Sequence, residues 1–281
     1  MPALPRQLFR GLLDDAAVFP PRSAPIASAV AGHLIWRNTS NRDLLGPLLC
    51  PASGVQELCA VLPVQDHVRL AVVVDGGAEV LSRALEVVGD DPRLSVVAVE
   101  AAHRNLDGDA AEIGNTLACI SGITSVLEVP RVEFDQSLAL VAGGPWDIAK
   151  YRTGGMHADA FPTEGELATF LIACATNGVA FKLTAGLHLA VRNYDSRTGF
   201  QQHGVLNVLV ATRVGQQGGS PVEVTSVLTE RNSAVLVEFV QEWDAAGCAD
   251  VRTALRSIGC CGVTDPIHEL ADLGLVERAA R

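Results

Sequence analysis

Short, nearly continuous apolar runs alternate along this chain with longer segments in which apolar residues recur every three or four positions. The run RLAVVVDGG at 69–77, for example, precedes AEVLSRALEVV, whose apolar side chains fall on one face of a helix. Continuous apolar runs, as opposed to strict alternation with polar residues, are typical of parallel strands covered on both faces. We assign eight such runs as strands: 12–19, 44–50, 69–77, 93–101, 124–130, 145–155, 179–187 and 254–262.

The eighth strand is a choice between two segments, HGVLNVLVATRV at 203–214 and ALRSIGCCG at 254–262. The first suits a helix equally well, whereas the second leads directly into the helical pattern DPIHELADLGLVERA and so keeps the strand–helix rhythm. We therefore predict an α/β fold, a single (β/α)8 TIM barrel over residues 1–281. Residues 189–250 become a mostly helical insertion after strand seven, on or beside the active-site face. This insertion is expected to act as a lid, as a contact between two subunits of a homodimer, or as both.

Composition and charge narrow the class of partner. Hydrophobic residues make up 48% of the chain and charged residues 19%, so a large core is available. The net charge of −11 disfavours nucleic acid and anionic membrane as partners, and we expect a small molecule instead. No apolar stretch reaches the ~18 residues of a membrane span, and the N-terminus lacks a secretory signal pattern. The seven cysteines are scattered without C-x-x-C or zinc spacing. We therefore expect a cytoplasmic protein without metal or cofactor.

The distribution of basic residues singles out two positions. Only two of the 21 basic residues are lysine, Lys150 in DIAKYRTGG and Lys182 in VAFKLTAGLH. Each stands near the carboxyl end of a predicted strand, and the carboxyl ends of barrel strands carry the active sites of this fold. The two strands are consecutive, so they are expected to be neighbours ~4.8 Å apart.

An amine at these positions has a chemical use that a guanidinium lacks. A second cation ~5 Å away disfavours a lysine ammonium by about 3 kcal/mol at an effective dielectric constant of ~20. Together with partial burial, this effect brings the pKa of a lysine towards neutrality. A neutral amine attacks carbonyl groups and forms Schiff bases, whereas arginine stays protonated. The other interpretation is that each lysine bridges a carboxylate in a polar barrel mouth.

Around these lysines the chain resembles the deoxyribose-phosphate aldolases, a family of Schiff-base aldolases. DIAKYRTGG is similar to the family's strand with the Schiff-base lysine, and VAFKLTAGL is similar to the next strand, which carries a second lysine after a phenylalanine. Weaker likenesses follow in the same order along the chain: LLDDAAVF with the first strand, LLGPLLCPASGVQELCAVL with the second, SVLEVP with the fifth and RSIGCCG with the eighth. The resemblance covers most of 11–188 together with 252–275.

The resemblance implies a role for each matching residue. Lys150 would be the Schiff-base nucleophile and Lys182 the residue that lowers its pKa. Asp14 and Glu128 would line the polar base of the site. Asp15 follows Asp14 directly, so only one of the two can face the barrel interior.

Two parts of the family's pattern differ here. The proton-transferring aspartate of strand four has no identical counterpart, because Val97 falls at that position and Glu100 is the nearest carboxylate. Glu100 is therefore a candidate proton carrier. The family's phosphate-binding glycine–serine backbone corresponds to GCCG and to AGLHLAVR, which contains Gly186 and His188. Recognition of a phosphate stays open, and His188 is a candidate acid or base on the active face.

The turn after Lys150 supplies candidate substrate-binding residues. Arg152 lies two positions further along the strand and shares the inward face, where it would bind an anionic substrate group or pair with Glu128. Thr153, Gly154 and Gly155 follow it, and the two glycines allow either a sharp turn or a backbone nest for an anion.

These residues predict a Schiff-base (class I) aldolase-like lyase that acts on a small aldehyde or ketone, phosphorylated or not. One alternative is a barrel lyase or isomerase that uses lysine as a base beside a carboxylate or a metal. Glu128, His188 and either Asp14 or Asp75 would hold such a metal, although no H-x-H or H-E-x-x-H motif supports one. A further alternative is a non-catalytic barrel whose lysines form structural salt bridges.

Overall fold

The computed structural model describes residues 6–102, 114, 117, 120–196 and 199–278. Eight parallel strands close into a barrel: β1 (Leu13–Asp15), β2 (Leu45–Pro51), β3 (Val68–Val73), β4 (Leu94–Ala102), β5 (Thr124–Glu128), β6 (Ile148–Arg152), β7 (Phe181–Thr184) and β10 (Leu255–Cys260). Their order around the barrel is β1, β10, β7, β6, β5, β4, β3, β2. The predicted (β/α)8 barrel is confirmed, with 254–262 as the eighth strand.

Ten α-helices lie within the described residues and connect or flank the strands. The predicted helix DAAEIGNTLACI at 109–120 falls largely outside those residues. The other competitor for strand eight, 203–214, is helical, as its leucine and valine spacing also allowed. The helices are α1 (Ile26–Arg37), α2 (Val55–Val61), α3 (Gly77–Gly89), α4 (Asp135–Ala142), α5 (Glu164–Asn177), α6 (Val205–Gln216), α7 (Pro221–Thr229), α8 (Ser233–Gln241), α9 (Ala245–Ala254) and α10 (Thr264–Asp272).

Strand β6 shows how the sequence divides residues between the two faces of the barrel wall. The ring of Tyr151 stacks on Phe170 of α5 with the ring centroids 4.3 Å apart, so it belongs to the outer layer between strands and helices. Lys150 and Arg152 flank Tyr151, and successive strand residues point to opposite faces. Both basic side chains therefore point into the barrel.

The barrel interior holds little apolar volume. Ala16, Leu49 and Ala71 form a small apolar cluster there, separate from the large core between the strands and the helices. Charged side chains from β1, β4, β5, β6 and β7 occupy much of the remaining interior. Within the described residues, no helix is long and apolar enough to cross a membrane.

Residues 189–250 contain a short antiparallel hairpin as well as helices. Its strands are β8 (Asn193–Asp195) and β9 (Phe200–Gln202), and α6 to α8 follow it. The hairpin region contacts the loop after β6. His203 Nε2 lies 3.0 Å from the carbonyl oxygen of Pro162, and the rings of Phe161 and Phe200 lie 4.9 Å apart between centroids. This part of the segment therefore lies at the carboxyl-terminal end of the barrel.

Candidate active site

The register of the strands places Lys150 between an acidic neighbour and a basic one. Lys150 on β6 is the Cα partner of Glu128 on β5 and of Lys182 on β7. Its Nζ lies 2.7 Å from Glu100 Oε2 and 3.1 Å from Glu128 Oε2. The ammonium of Lys150 is thus held by two carboxylates from the two preceding strands.

Lys182, on the next strand β7, is likewise held by two carboxylates. Its Nζ lies 2.6 Å from Asp14 Oδ2 on β1 and also donates a hydrogen bond to Glu100 Oε1. Each oxygen of Glu100 therefore accepts from a different lysine. The two ammonium groups do share one small volume, as the sequence predicted, but a carboxylate joins them.

The ion pairs continue at both ends and form a chain. Arg152 donates to Glu128 through Nε at 3.1 Å and a terminal guanidinium nitrogen at 3.3 Å. At the other end, Ser257 Oγ donates to Asp14 Oδ2 over 2.6 Å. We call this set the charge chain; its members, in order, alternate in sign and are Arg152, Glu128, Lys150, Glu100, Lys182 and Asp14. All except Arg152 are buried.

A cavity of about 380 Å³ opens above this chain at the carboxyl-terminal end of the barrel. Lys150, Glu100, Glu128 and Arg152 line it, and so does Gly155 in the turn after β6. Apolar side chains supply much of the remaining wall, among them Phe19, Leu49, Val73 and Met156. We refer to it as the Lys150 cavity.

The structure does not place Asp14 and Lys182 in the lining of this cavity. They line a cavity of about 650 Å³ at the opposite, amino-terminal end, together with Arg69 and Arg256. The prediction that Asp14 shares the base of the site with Glu128 is therefore corrected. The carboxyl group of Asp14 turns towards Lys182 and Ser257, and it reaches Lys150 only through Lys182 and Glu100.

The charge chain determines the protonation of its members. Burial works against ionisation of Glu100, but the ammonium groups of Lys150 and Lys182 outweigh it and lower its pKa to about 2. Glu128 is likewise opposed by burial, and Lys150 and Arg152 lower its pKa to about 2. Burial raises the pKa of Asp14 above its ordinary value. Among the three carboxyl groups of the charge chain, that of Asp14 therefore protonates most readily.

The pKa of Lys182 moves in the direction opposite to that expected from a pair of lysines. Burial opposes its charged form, but Asp14 and Glu100 outweigh burial and raise the pKa of Lys182. The like-charge argument from the sequence did not include the carboxylates that come between the lysines. Lys182 is consequently a permanent cation beside Glu100 at neutral pH.

The residues after β6 build the turn, and only some of them line the Lys150 cavity. Thr153 Oγ1 donates to the carbonyl oxygen of Thr184 over 3.2 Å, which fastens the turn to the end of β7. A Cβ atom at Gly154 would lie 2.7 Å from the Cα of Gly186, so these two glycines allow two backbone segments to cross. Gly186 also has a φ of +71°, which favours glycine.

His188 lies outside the Lys150 cavity. Its ring nitrogens Nδ1 and Nε2 are 4.0 and 3.8 Å from Cys261 Sγ. Cys260 is buried and donates a hydrogen bond from its Sγ to the carbonyl oxygen of Leu187, whereas Cys261 lines the Lys150 cavity. Its position just after the eighth strand is the signal that could have identified it.

Asp15 takes the outward position that the sequence left for one of the two adjacent aspartates. Its carboxylate lies 3.2 Å from Nδ1 of His33 on α1, and it accepts a hydrogen bond from the backbone nitrogen of Ala17. It thereby fixes the end of β1 to a helix. Among the described residues, no group of three or more histidine, cysteine, aspartate or glutamate side chains is arranged to hold a metal ion.

Comparisons with protein-family models, with curated proteins and with solved structures found no match to this chain. The arrangement of the residues themselves therefore carries the functional argument. It consists of a buried primary amine, two adjacent carboxylates and a guanidinium around one cavity at the catalytic end of a barrel.

Proposed function

We propose that this protein is a Schiff-base lyase of the aldolase type that acts on a small aldehyde or ketone. The observation that carries the proposal is the position of Lys150 in the lining of an apolar-walled cavity, between Glu100 and Glu128. A lysine amine can form a covalent adduct with a carbonyl, and the neighbouring carboxylates supply the proton transfers that the adduct needs.

Adduct formation uses the first of these carboxylates. Glu100, whose Oε2 is 2.7 Å from Nζ, takes a proton from the Lys150 ammonium, and this transfer removes one of the two positive charges that lower the pKa of Glu100. The free electron pair of nitrogen attacks the carbonyl carbon, and the electrons of the carbon–oxygen π bond move to oxygen. A proton moves from nitrogen to that oxygen, Glu100 returns its proton to the resulting hydroxyl, and water leaves. The product is a protonated Schiff base, which has the same charge as the original ammonium.

The retained positive charge fits the surroundings of Lys150. Glu100 and Glu128 pair with the ammonium, and both remain in position to pair with the iminium nitrogen that replaces it. Preorganised charges of this kind need no rearrangement during the reaction. The adduct therefore forms without leaving an unpaired charge inside the barrel.

Carbon–carbon cleavage then uses the second carboxylate. Glu128 accepts the proton of a hydroxyl group on the carbon β to the iminium, and the bond between the α and β carbons breaks. The electron pair of that bond forms the carbon–carbon double bond of a neutral enamine, the π electrons of the iminium move to its nitrogen, and an aldehyde fragment departs. Glu128 returns its proton to the enamine carbon, and water hydrolyses the new iminium to release the second product and Lys150.

Arg152 and Lys182 have supporting roles in this proposal. The Arg152 side chain is 42% exposed and lines the cavity, where its guanidinium faces an anionic or strongly polar substrate group while it pairs with Glu128. Lys182 does not line the cavity, but its fixed charge keeps Glu100 ionised and in place. Lys182 is thus a positioning residue.

The likeness to the deoxyribose-phosphate aldolases supports the same assignment. Comparison by sequence placed Val97 at the position of the family's strand-four acid. In the barrel, Glu100 is the strand-four carboxylate that contacts both lysines. A strand-four carboxylate is therefore available beside Lys150 for proton transfer, three residues after the position at which the sequences correspond.

One observation favours a different function. Each lysine is paired with two carboxylates, as in a structural ion network, so a non-catalytic barrel or a lyase in which lysine acts only as a base would use the same contacts. The three functions differ in one measurable property. Only the Schiff-base lyase forms a covalent bond between Lys150 and a carbonyl compound.

Borohydride trapping tests the proposal. The protein is incubated with a panel of small aldehydes and ketones and reduced, and the adducts are mapped by mass spectrometry. The chain has only two lysines, so each adduct on a side-chain amine is assigned to Lys150 or Lys182. We expect an adduct on Lys150 that is absent in Lys150→Arg and formed more slowly in Lys182→Arg. A panel that gives no adduct on Lys150, with the protein folded, would overturn the proposal.

A further inference from the structure

A second cavity adjoins the Lys150 cavity at the same end of the barrel. Its volume is about 390 Å³, and Gly155 and Cys261 line both cavities. We call it the side cavity. It lies between the loops that follow β7 and β10, the loop that follows β6, and the hairpin of β8 and β9; its lining includes Phe161, Gly186, His188, Asp195, Gln202 and Asp265.

The location of the side cavity is one at which barrels of this fold frequently bind phosphate. Such sites are built from the loops after strands seven and eight and from the amino terminus of a helix, where backbone N–H groups and the helix dipole favour an anion. Here, the corresponding helix is α10, and its first turn carries Asp265, which lines the cavity. A carboxylate in this position opposes a second anion.

The other charges around the side cavity act in the same direction. Asp195 contributes a second carboxylate from the hairpin. Among the described lining residues, Arg22 is the one permanently charged cation, and it is exposed at the rim, with a guanidinium nitrogen 3.5 Å from the carbonyl oxygen of Cys261. In this described part of the lining, two carboxylates outnumber one guanidinium, and the excess negative charge opposes a phosphate dianion.

The polar groups of the side cavity suit hydroxyl groups instead. Gln202 is only 3% exposed, and its Nε2 donates a hydrogen bond to Oδ2 of Asp195 over 3.3 Å. The amide of Gln202, the carboxylates of Asp195 and Asp265 and the ring of His188 together provide both donors and acceptors. A carboxylate accepts a hydrogen bond from a substrate hydroxyl group, and the amide of Gln202 can both donate to one and accept from one.

We propose that the side cavity is the subsite for an uncharged, hydroxyl-bearing part of the substrate, and that the protein selects such substrates over their phosphate esters. This inference rests on the proposed function, because it takes the carbonyl end of the substrate to be at Lys150. The substrate then extends from Lys150 past Gly155 and Cys261 into the side cavity.

Trapping rates with three aldehydes test the inference. Acetaldehyde is small enough to occupy the Lys150 cavity alone and therefore reports on Schiff-base formation by itself. Erythrose and erythrose 4-phosphate reach the side cavity and differ only in the phosphate. The three aldehydes are compared in the unmodified protein and in the double variant Asp195→Asn/Asp265→Asn. Glu86→Gln is the matched control, because it removes an exposed carboxylate from α3, outside both cavities.

We expect trapping of erythrose on Lys150 at least about tenfold faster than that of erythrose 4-phosphate in the unmodified protein. In the double variant, the ratio should move towards the phosphate ester by about tenfold for each carboxylate removed. Trapping of acetaldehyde should change little, and Glu86→Gln should leave all three rates unchanged. This pattern would support the inference.

Two other results would overturn it, and they are distinguishable. If acetaldehyde is trapped on Lys150 but erythrose 4-phosphate reacts as fast as erythrose, or the ratio is the same in the double variant, the inference fails and the proposed function stands. If no aldehyde, including acetaldehyde, forms an adduct on Lys150, the proposed function fails and the inference fails with it.

Discussion

Lys150 and Lys182 are Cα partners on adjacent strands, yet their ammonium groups meet at the two oxygens of one carboxylate, that of Glu100. A pair of lysines in one barrel suggests mutual repulsion that frees an amine. The inserted carboxylate changes this balance, because it makes each lysine an ion-pair partner. The chemistry of the site therefore depends on Glu100 as much as on the lysines.

Replacement of the bridging carboxylate tests this dependence. In Glu100→Gln, two buried ammonium groups face a neutral amide, so we expect the free energy of unfolding to fall by about 3–5 kcal/mol. We also expect adduct formation on Lys150 to slow by ~10²–10⁴-fold, the range for loss of a general acid or base. Urea unfolding and borohydride trapping measure the two effects.

Glu86→Gln, which removes one exposed carboxylate, is the control and should change neither the stability nor the trapping rate. A Glu100→Gln variant with the stability of the unmodified protein would contradict the assigned contacts.

The two lysines should differ in their contribution to stability. In Lys150→Met, Glu100 keeps Lys182 and Glu128 keeps Arg152 as a cationic partner. In Lys182→Met, Ser257, a neutral donor, is the one side chain within the described residues that still hydrogen-bonds to Asp14. We therefore expect Lys182→Met to lower the free energy of unfolding more than Lys150→Met does, by about 2 kcal/mol.

Urea unfolding of the two methionine variants, under identical conditions, measures this difference. Activity should follow the opposite order, since Lys150→Met removes the nucleophile and leaves a more stable protein. Equal losses of stability would show that Asp14 finds another partner or is neutral in the folded chain.

Acid should destabilise the fold through Glu100 and Glu128. Their pKa values are lowered to about 2 in the folded protein, below the ~4.3 of an unfolded glutamate, so their ionisation stabilises the folded state. This stabilisation is fully present above the unfolded value and is lost as the pH falls from ~4.3 towards 2. Asp14, whose pKa is raised, acts in the opposite sense and offsets part of the loss.

Urea unfolding between pH 6 and pH 2.5 provides the test. We expect the free energy of unfolding to decline steadily below pH ~4.3, and the decline to be shallower in Glu100→Gln, which lacks one of the two titrating groups. A variant with the same decline as the unmodified protein would contradict the lowered pKa of Glu100.

The crossing of the two turns above the site should be sensitive to a single methyl group. In Gly186→Ala, the new Cβ would lie 2.6 Å from the carbonyl oxygen of Thr153, at a φ of +71°. We expect this variant to lose about 2 kcal/mol or more of stability and to trap aldehydes more slowly, because the turn that carries Gly155 must shift. Gly165→Ala is the matched control. It lies in the first turn of α5 with no atom near its Cβ position, so its stability should be equal or up to about 1 kcal/mol higher.

The sequence predicts which segments form the eight strands, but it does not predict the register between neighbouring strands. Continuous apolar runs identified all eight strands, and the strand–helix rhythm chose 254–262 over 203–214. The stagger of strands in a barrel depends on closure of the whole sheet, which no local pattern contains. Strand β4 continues to Ala102, the Cα partner of Glu128. This register brings Glu100 to the lysines, whereas the sequence resemblance aligned Val97 with the strand-four acid.

Other parts of the site depend on contacts between distant segments. The sequence assigns Asp14 to the correct strand, β1. The direction of its carboxyl group, however, is determined by Lys182 and Ser257, which follow it by more than 160 residues. The side cavity was not foreseen, because Asp195 and Gln202 lie on a hairpin of three-residue strands, too short to produce a recognisable alternation.

The burial of Lys150 and Lys182 has a consequence for how this protein meets other molecules. They are the only lysines of the chain and are 4% and 3% exposed, so the folded surface offers no lysine to acylating reagents or to a lysine-specific endoprotease. Cleavage after either residue requires the barrel wall to open. The rate of such cleavage therefore reports on opening of the barrel wall at β6 and β7, because the chain has no other lysine at which the protease could cut.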